Sequence, residues 1–266
     1  MRPLNGRRIL VCGKGGSGKS TISTVIAKIL AEENYKVLLI DGDSSNPSGL
    51  SRLAFGSQSP PDPLIDYFGG RQHVTCPVDD PSPLTRLNDK QSIVDHPIEL
   101  KSVPDNYYLK NGNIFLFQVG KMEKIHEGCD GPMSKVTRDF IVEGDFVTII
   151  DTEAGIEHFG RGIEDHVDMV VVIVNSTFES LYLAEKVKNF CDDMNIDYVG
   201  AIVNGVQSRK MEKIITDSLN TRGVKILDIV YFDPELSLAG LTGDAISLKS
   251  ARKALSHIET RMATVF

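Results

Sequence analysis

Residues 13–21 read GKGGSGKST, and this stretch limits what the chain can become more than any other. Gly13, Gly18, Lys19 and Ser20 occupy the fixed positions of the pattern G-x-x-x-x-G-K-[ST], a loop whose backbone closes round phosphate. The apolar run Ile9-Leu10-Val11-Cys12 precedes it, and Ile22, Val25, Ile26, Ile29 and Leu30 follow at helical spacing. The stretch therefore predicts a strand, a loop and a helix in that order. Glycines let successive N–H groups, from Gly15, Gly16, Ser17 and Gly18 onward, turn towards one anion. The helix N-terminus adds positive potential at Lys19, Ser20 and Thr21. In that frame Lys19 neutralises the β- and γ-phosphates and the Ser20 hydroxyl ligates Mg²⁺, so ATP or ADP with Mg²⁺ is the expected ligand.

The rest of the chain repeats the alternation. Apolar runs at 36–40, 113–119, 146–150, 169–174, 198–203 and 224–230 read as strands, with helical patterns at 178–193, 208–221 and 245–263. Continuous Val/Ile runs mark strands covered on both faces, and their alternation with helices predicts an α/β fold with a mostly parallel twisted sheet. One domain over residues 1–266 accounts for all of it. Residues 56–112 break the rhythm, because eight of the twelve prolines fall between Pro60 and Pro104. Proline removes a backbone donor and fixes φ, so an irregular, surface-lying insertion is expected there, anchored by Tyr67-Phe68-Gly69-Gly70 and Asn106-Tyr107-Tyr108. It is read either as a plain loop or as a lid or docking surface.

Composition excludes several classes. A net charge of −7 leaves no broad basic face for nucleic acid, and no apolar stretch approaches the roughly 18 residues of a membrane span. The first strand begins close to the N-terminus, and the four cysteines (Cys12, Cys76, Cys129, Cys191) lack framework spacing. A cytoplasmic chain with reduced thiols is therefore expected. Cys12 and Cys191 read as buried packing residues.

In open α/β sheets, ligands bind beyond the carboxyl ends of the strands. Asp41-Gly42-Asp43-Ser44-Ser45-Asn46-Pro47 follows the second strand, and Asp151-Thr152-Glu153-Ala154-Gly155 follows 146–150. Asp151 is placed to hold Mg²⁺ directly or through water. Asp41 reads as support for the phosphate loop or the Mg²⁺ shell. Asp, Ser, Asn and Pro are also ordinary turn residues, which is the plainer reading of the first segment.

Lys14 sharpens the class. A loop of the form K-G-G-x-G-K-[ST] resembles that of the deviant P-loop ATPases, the group holding nitrogenase iron protein, MinD-type and partition ATPases, and metal-insertion ATPases. The resemblance implies a homodimer that closes on ATP, with Lys14 reaching the partner's nucleotide. It implies that Asp43 positions the attacking water and joins Ser20 and Asp151 in the Mg²⁺ site, and that the Gly155 N–H contacts the γ-phosphate. It further implies that Asn204 reads the adenine edge, with Asp233 lining the other side of the base. Tyr231 stands where relatives often have proline. The activity implied is slow, dimerisation-dependent hydrolysis of ATP to ADP and phosphate, with Lys14, Lys19 and Asp43 as its catalytic residues.

Several longer stretches resemble the maturation ATPases that help insert nickel into carbon monoxide dehydrogenase: 41–53, 60–70, 127–140, 151–164 and 176–187. DTEAGIEHFGRG is the most specific of them, because generic ATP hydrolysis does not require it. The resemblance implies a metal chaperone with a carbon monoxide dehydrogenase-like client and Ni²⁺ or Zn²⁺ at the dimer interface. One departure falls on the metal motif. Such proteins typically carry a C-x-C pair before proline, whereas here the segment reads Cys129-Asp130-Gly131-Pro132. Cys129 alone would give two thiolates per dimer, short of a closed tetrahedral set; His126 or Asp130 are the candidates to complete it. The missing cysteine also motivates a second reading, an ATP-driven conformational activator that moves no metal. A third is a spatial organiser of the MinD or partition type, suggested by a basic amphipathic pattern in 245–263. His158 reads as a link from the segment after Asp151 to the dimer surface, or as a packing residue; a histidine there speaks against a four-cysteine iron–sulfur cluster.

Overall fold

The computed structural model describes residues 2–46, 49–56, 59–122, 125–126, 128–196 and 198–266. Pro47, at the end of the 41–47 segment, and Glu127, at the head of the 127–140 stretch, lie outside the described residues.

Eight strands form one sheet: β1 Arg8–Gly13, β2 Lys36–Asp41, β3 Leu109–Asn111, β4 Ile114–Gln118, β5 Phe146–Asp151, β6 Met169–Val174, β7 Tyr198–Val206 and β8 Lys225–Tyr231. Their order across the sheet is β3-β4-β2-β5-β1-β6-β7-β8. Every pairing is parallel except β3 with β4. The three-residue β3 has too short a pattern to be seen in the sequence. Helices α1 Lys19–Glu32, α2 Gly49–Phe55, α3 Leu64–Tyr67, α4 Gly131–Asp139, α5 Phe178–Asp193, α6 Arg209–Thr221, α7 Pro234–Thr242, α8 Leu248–Ala254 and α9 Ile258–Ala263 cover the two faces.

Strand pleating divides the core in two. Leu10, Cys12, Leu38 and Ile40 point to one apolar cluster, which also takes in α4 to α6 residues such as Val136, Val187 and Leu219. Ile9, Val11, Val37 and Leu39 point to the other, with Ile22, Val25, Ile26, Ile29 and Leu30 of α1. Side-chain caps fix several helix starts. Thr177 accepts from Ser180 N, Ser208 from Met211 N and Ser247 from Ser250 N, each worth about 1 kcal/mol.

Two expectations change. Residues 56–112 are irregular in path but do not merely lie on the surface: Leu64, Ile65, Phe68, Leu84, Ile93 and Ile98 are buried in the first cluster. Tyr67 packs edge-on against Tyr107 at 5.4 Å, and Phe68 lies 6.4 Å from Phe140. Proline breaks periodicity without removing apolar area, so burial there has no sequence signature. The helix expected over 245–263 is two helices, because Leu255 leaves helical geometry at φ −138°, ψ 63°. Ala251, Leu255, Ile258 and Met262 are fully buried, so the apolar face a membrane would need is spent on the core. Among the described residues no helix is long and apolar enough to cross a membrane.

Candidate nucleotide site

The loop between β1 and α1 is held by one bond within it and by two from neighbouring segments. Ser17 N–H bonds to Lys14 O at 3.1 Å and Gly155 N–H bonds to Gly13 O at 3.2 Å. From β7, the Asn204 side-chain amide donates to Ser17 O at 2.8 Å. Gly18 starts α1 at φ +96°, a conformation only glycine takes readily, and a Cβ there would collide with the Asn204 amide. Gly15 and Gly16 are exposed at the loop tip, while Ser17 and Lys19 are buried and Ser20 and Thr21 are half-buried.

Below the loop, Asp41 and Asp151 stand opposite each other in the β2–β5 register. Asp151 is fully buried; Ser20 donates to its Oδ2 at 2.7 Å and Ser23 to its Oδ1 at 3.0 Å. Burial pushes its pKa up to about 7, opposed by the Ser20 hydrogen bond and the Lys19 charge. Burial also raises Asp41, which the Lys121 ammonium opposes. Lys121 Nζ lies 2.8 Å from Asp41 Oδ1 and donates to Asp43 O as well. A hydroxyl beside a buried carboxylate is a hard-oxygen donor set, so Ser20 and Asp151 fit Mg²⁺. Asp43 is 9% exposed; its Oδ1 accepts from Ser45 N and Ser45 Oγ at 2.9 and 2.6 Å.

The remaining expected residues are more dispersed. Lys14 is half-exposed and lies 3.3 Å from Glu179 of its own chain. Asp233 caps α7, accepting from Glu235 N at 2.8 Å, and pairs with Lys253 at 2.7 Å. His158 is buried against Glu164, with its ring 4.7 Å from Phe159. That inward placement removes it from the surface role and leaves the packing one. Of the residues offered beside Cys129, Asp130 is engaged by Arg161 and His126 is exposed.

Three side chains that sequence reasoning did not single out tie the site together. Lys121 pairs with Asp41, and its place three residues beyond the end of β4 is the available signal. Glu153 accepts a hydrogen bond from Ser44, joining the segments after β2 and β5. Arg161 binds Asp130 and lies 3.9 Å from Glu153. Burial raises the Glu153 pKa, with the neighbouring Asp130 carboxylate adding to the effect.

A glycine-rich loop feeding a helix N-terminus, over a serine hydroxyl on a buried aspartate at the carboxyl edge of a parallel sheet, defines a P-loop nucleotide-binding protein. Residues 9–246 match the CobQ/CobB/MinD/ParA nucleotide binding domain, and the chain belongs to that family. It is 34% identical to an uncharacterised ATP-binding protein of Methanocaldococcus jannaschii, covering 90% of this chain and 94% of that protein. It is 26% identical to the carbon monoxide dehydrogenase accessory protein CooC of Rhodospirillum rubrum, covering 89% of this chain and 88% of that protein. A chain of the MinC:MinD cell division protein complex of Aquifex aeolicus superposes with a TM-score of 0.65 at 19% identity, covering 97% of this chain and 96% of that one. The last likeness establishes the fold.

Proposed function

We propose that the chain is an ATP-hydrolysing dimeric switch of the cytoplasm that acts in metalloenzyme maturation, inserting nickel into, or activating, a carbon monoxide dehydrogenase-like client. The observation that carries this reading is the likeness to CooC over nearly nine-tenths of both chains. The tie from Asp130 through Arg161 towards Glu153 supports it, since it joins the Cys129 loop to the nucleotide side of the sheet.

In this reading Lys19 binds the β- and γ-phosphates, and Gly15, Gly16, Ser17, Gly18, Ser20 and Thr21 line them. Ser20 and Asp151 hold Mg²⁺, with Asp43 beside them; the ion supplies charge neutralisation to the phosphates when bound. Asp43 orients the attacking water. The Gly155 N–H leaves Gly13 O to meet the γ-phosphate. An amide has two N–H groups and a carbonyl, so Asn204 can hold Ser17 and still offer a donor and an acceptor to adenine. Asp233 flanks the base from the start of α7. Lys14 leaves Glu179 for the partner's nucleotide. A cation 4 Å from a phosphate oxygen contributes about 4 kcal/mol at an effective dielectric near 20, which makes hydrolysis conditional on dimer closure.

Nucleotide titration and turnover test the ATPase half. Lys19→Ala abolishes ATP binding. Lys14→Ala keeps binding but loses hydrolysis and ATP-stabilised dimers; unchanged turnover in that variant refutes the reaching lysine. Activation of a nickel-free client by the chain with ATP and Ni²⁺ tests the maturation half. Activation without any metal requirement favours the conformational activator instead. Nucleotide-dependent sedimentation with liposomes or DNA favours the spatial organiser, for which the fold likeness is the supporting observation.

A further inference from the structure

Gly131, at the start of α4, has no left-handed backbone angle to explain it. Its reason lies in what surrounds it. A Cβ built there would lie 2.5 Å from Cys76 Sγ and 3.4 Å from Cys129 Sγ. The volume a side chain would occupy at position 131 is thus taken by the Cys76 side chain, from the irregular 56–112 region, while the sulfur of Cys129, in the segment leading into α4, lies in contact beside it. We propose that Cys76 and Cys129 of one chain together chelate a thiophilic transition-metal ion. The proposal deepens the maturation reading and rests on it only for where the metal goes.

The geometry suits the chemistry. Two thiolates on one tetrahedral ion at ~2.3 Å stand about 3.8 Å apart, and sulfurs lying 2.5 and 3.4 Å from a common point can meet that separation. Both thiols are reachable, Cys129 being exposed and Cys76 half-buried. The other two are not competitors: burial pushes the Cys12 thiol up, and that of Cys191 to about 12. Each cysteine segment also carries a cation. Arg71 donates to Cys129 O, and buried Lys135 donates to Thr75 Oγ1 at 3.2 Å, one residue before Cys76. Lys135 is itself paired with Asp80 at 2.9 Å, so these two cations tie the cysteine segments to their surroundings.

Among the described residues no group of three or more His, Cys, Asp or Glu side chains is placed to hold a metal. A pair of thiolates therefore leaves half of a tetrahedral coordination sphere open, as suits an ion that has to be handed on rather than kept. Asp130, next to Cys129, is gripped by Arg161. A movement of the segment after β5 would therefore move one thiolate relative to the other.

The test uses Co²⁺ as a spectroscopic probe on the reduced full-length chain, following thiolate-to-cobalt charge-transfer absorption and its loss on adding Zn²⁺. The wild-type chain is expected to show the band. Cys76→Ser and Cys129→Ser should each weaken Co²⁺ affinity at least about tenfold, while Cys191→Ser retains it. Gly131→Ala, whose new methyl displaces the Cys76 sulfur, should weaken it as well. Nucleotide binding measured on each variant reports that the fold is intact. Wild-type Co²⁺ affinity in Cys76→Ser overturns the pair, and so does the absence of a band in the wild-type chain. Neither result touches nucleotide-driven client activation. Failure to activate a client by a chain that binds metal through both cysteines would count against the maturation reading alone.

Discussion

Asp151→Asn should make the nucleotide-free protein more stable, and by an amount that depends on pH. The carboxylate is fully buried at the end of β5, and burial lifts its pKa from 3.8 to about 7. A raised carboxyl pKa means that the fold prefers the neutral acid. Its contribution is whole below the unfolded value and is lost as pH rises through the folded one. The full shift corresponds to about 4 kcal/mol, of which about 3 kcal/mol falls between pH 5 and pH 8. Urea unfolding of wild type and variant at several pH values, without nucleotide or divalent ions, reads this directly. The variant's advantage should grow by about 3 kcal/mol from pH 5 to pH 8. Mg²⁺ with ADP should shrink that advantage, because a bound cation favours the ionised form that only the wild type has. Parallel pH profiles for the two proteins would refute the assignment of Asp151 as a strained, cation-seeking carboxylate.

Three other outcomes follow from the same geometry. Lys121→Met leaves Asp41 buried without its partner and should cost about 3–5 kcal/mol in chemical denaturation; adding Asp41→Asn to it should recover much of the loss. Gly18→Ala forces a left-handed angle on a residue with a Cβ and pushes on Asn204, so ADP affinity by calorimetry should fall at least about tenfold. Asp233→Ala removes the α7 cap and should lower stability by about 1 kcal/mol, seen in the urea midpoint; a much larger loss of nucleotide affinity than of stability would mark direct contact with the base.

The parts of the site legible in the sequence are those encoded locally. Gly18, Lys19 and Ser20 lie within a few residues of one another, and Asp41, Asp151 and Asn204 follow or lie within strands whose Val/Ile runs announce them. Lys121 belongs to the same group by position, three residues beyond β4, but nothing nearby in the chain declares that its partner is Asp41. The meeting of Cys76 and Cys129 is less visible still, because it depends on how the proline-rich stretch is laid against α4. Phe68, Leu84 and Ile93 are core residues without periodicity, since an irregular backbone buries side chains in no fixed rhythm. The break between α8 and α9 is likewise tertiary: each short helix follows the surface it packs on, where the local pattern alone favours one continuous helix.

The strand order has a consequence for the chain as it is made. β1, which carries the phosphate loop, is sandwiched between β5 and β6, with Arg8 opposite Thr148 and Ile9 opposite Met169. Asn204, which holds the loop by Ser17, comes later again. A growing polypeptide therefore displays its most recognisable motif first and gives it a shape last. A ribosome-bound fragment ending before β6 should not be retained by immobilised ADP, although it contains every glycine of the loop. Until β6 and β7 have emerged, the exposed Val/Ile edge of β1 is a surface that chaperones must shield.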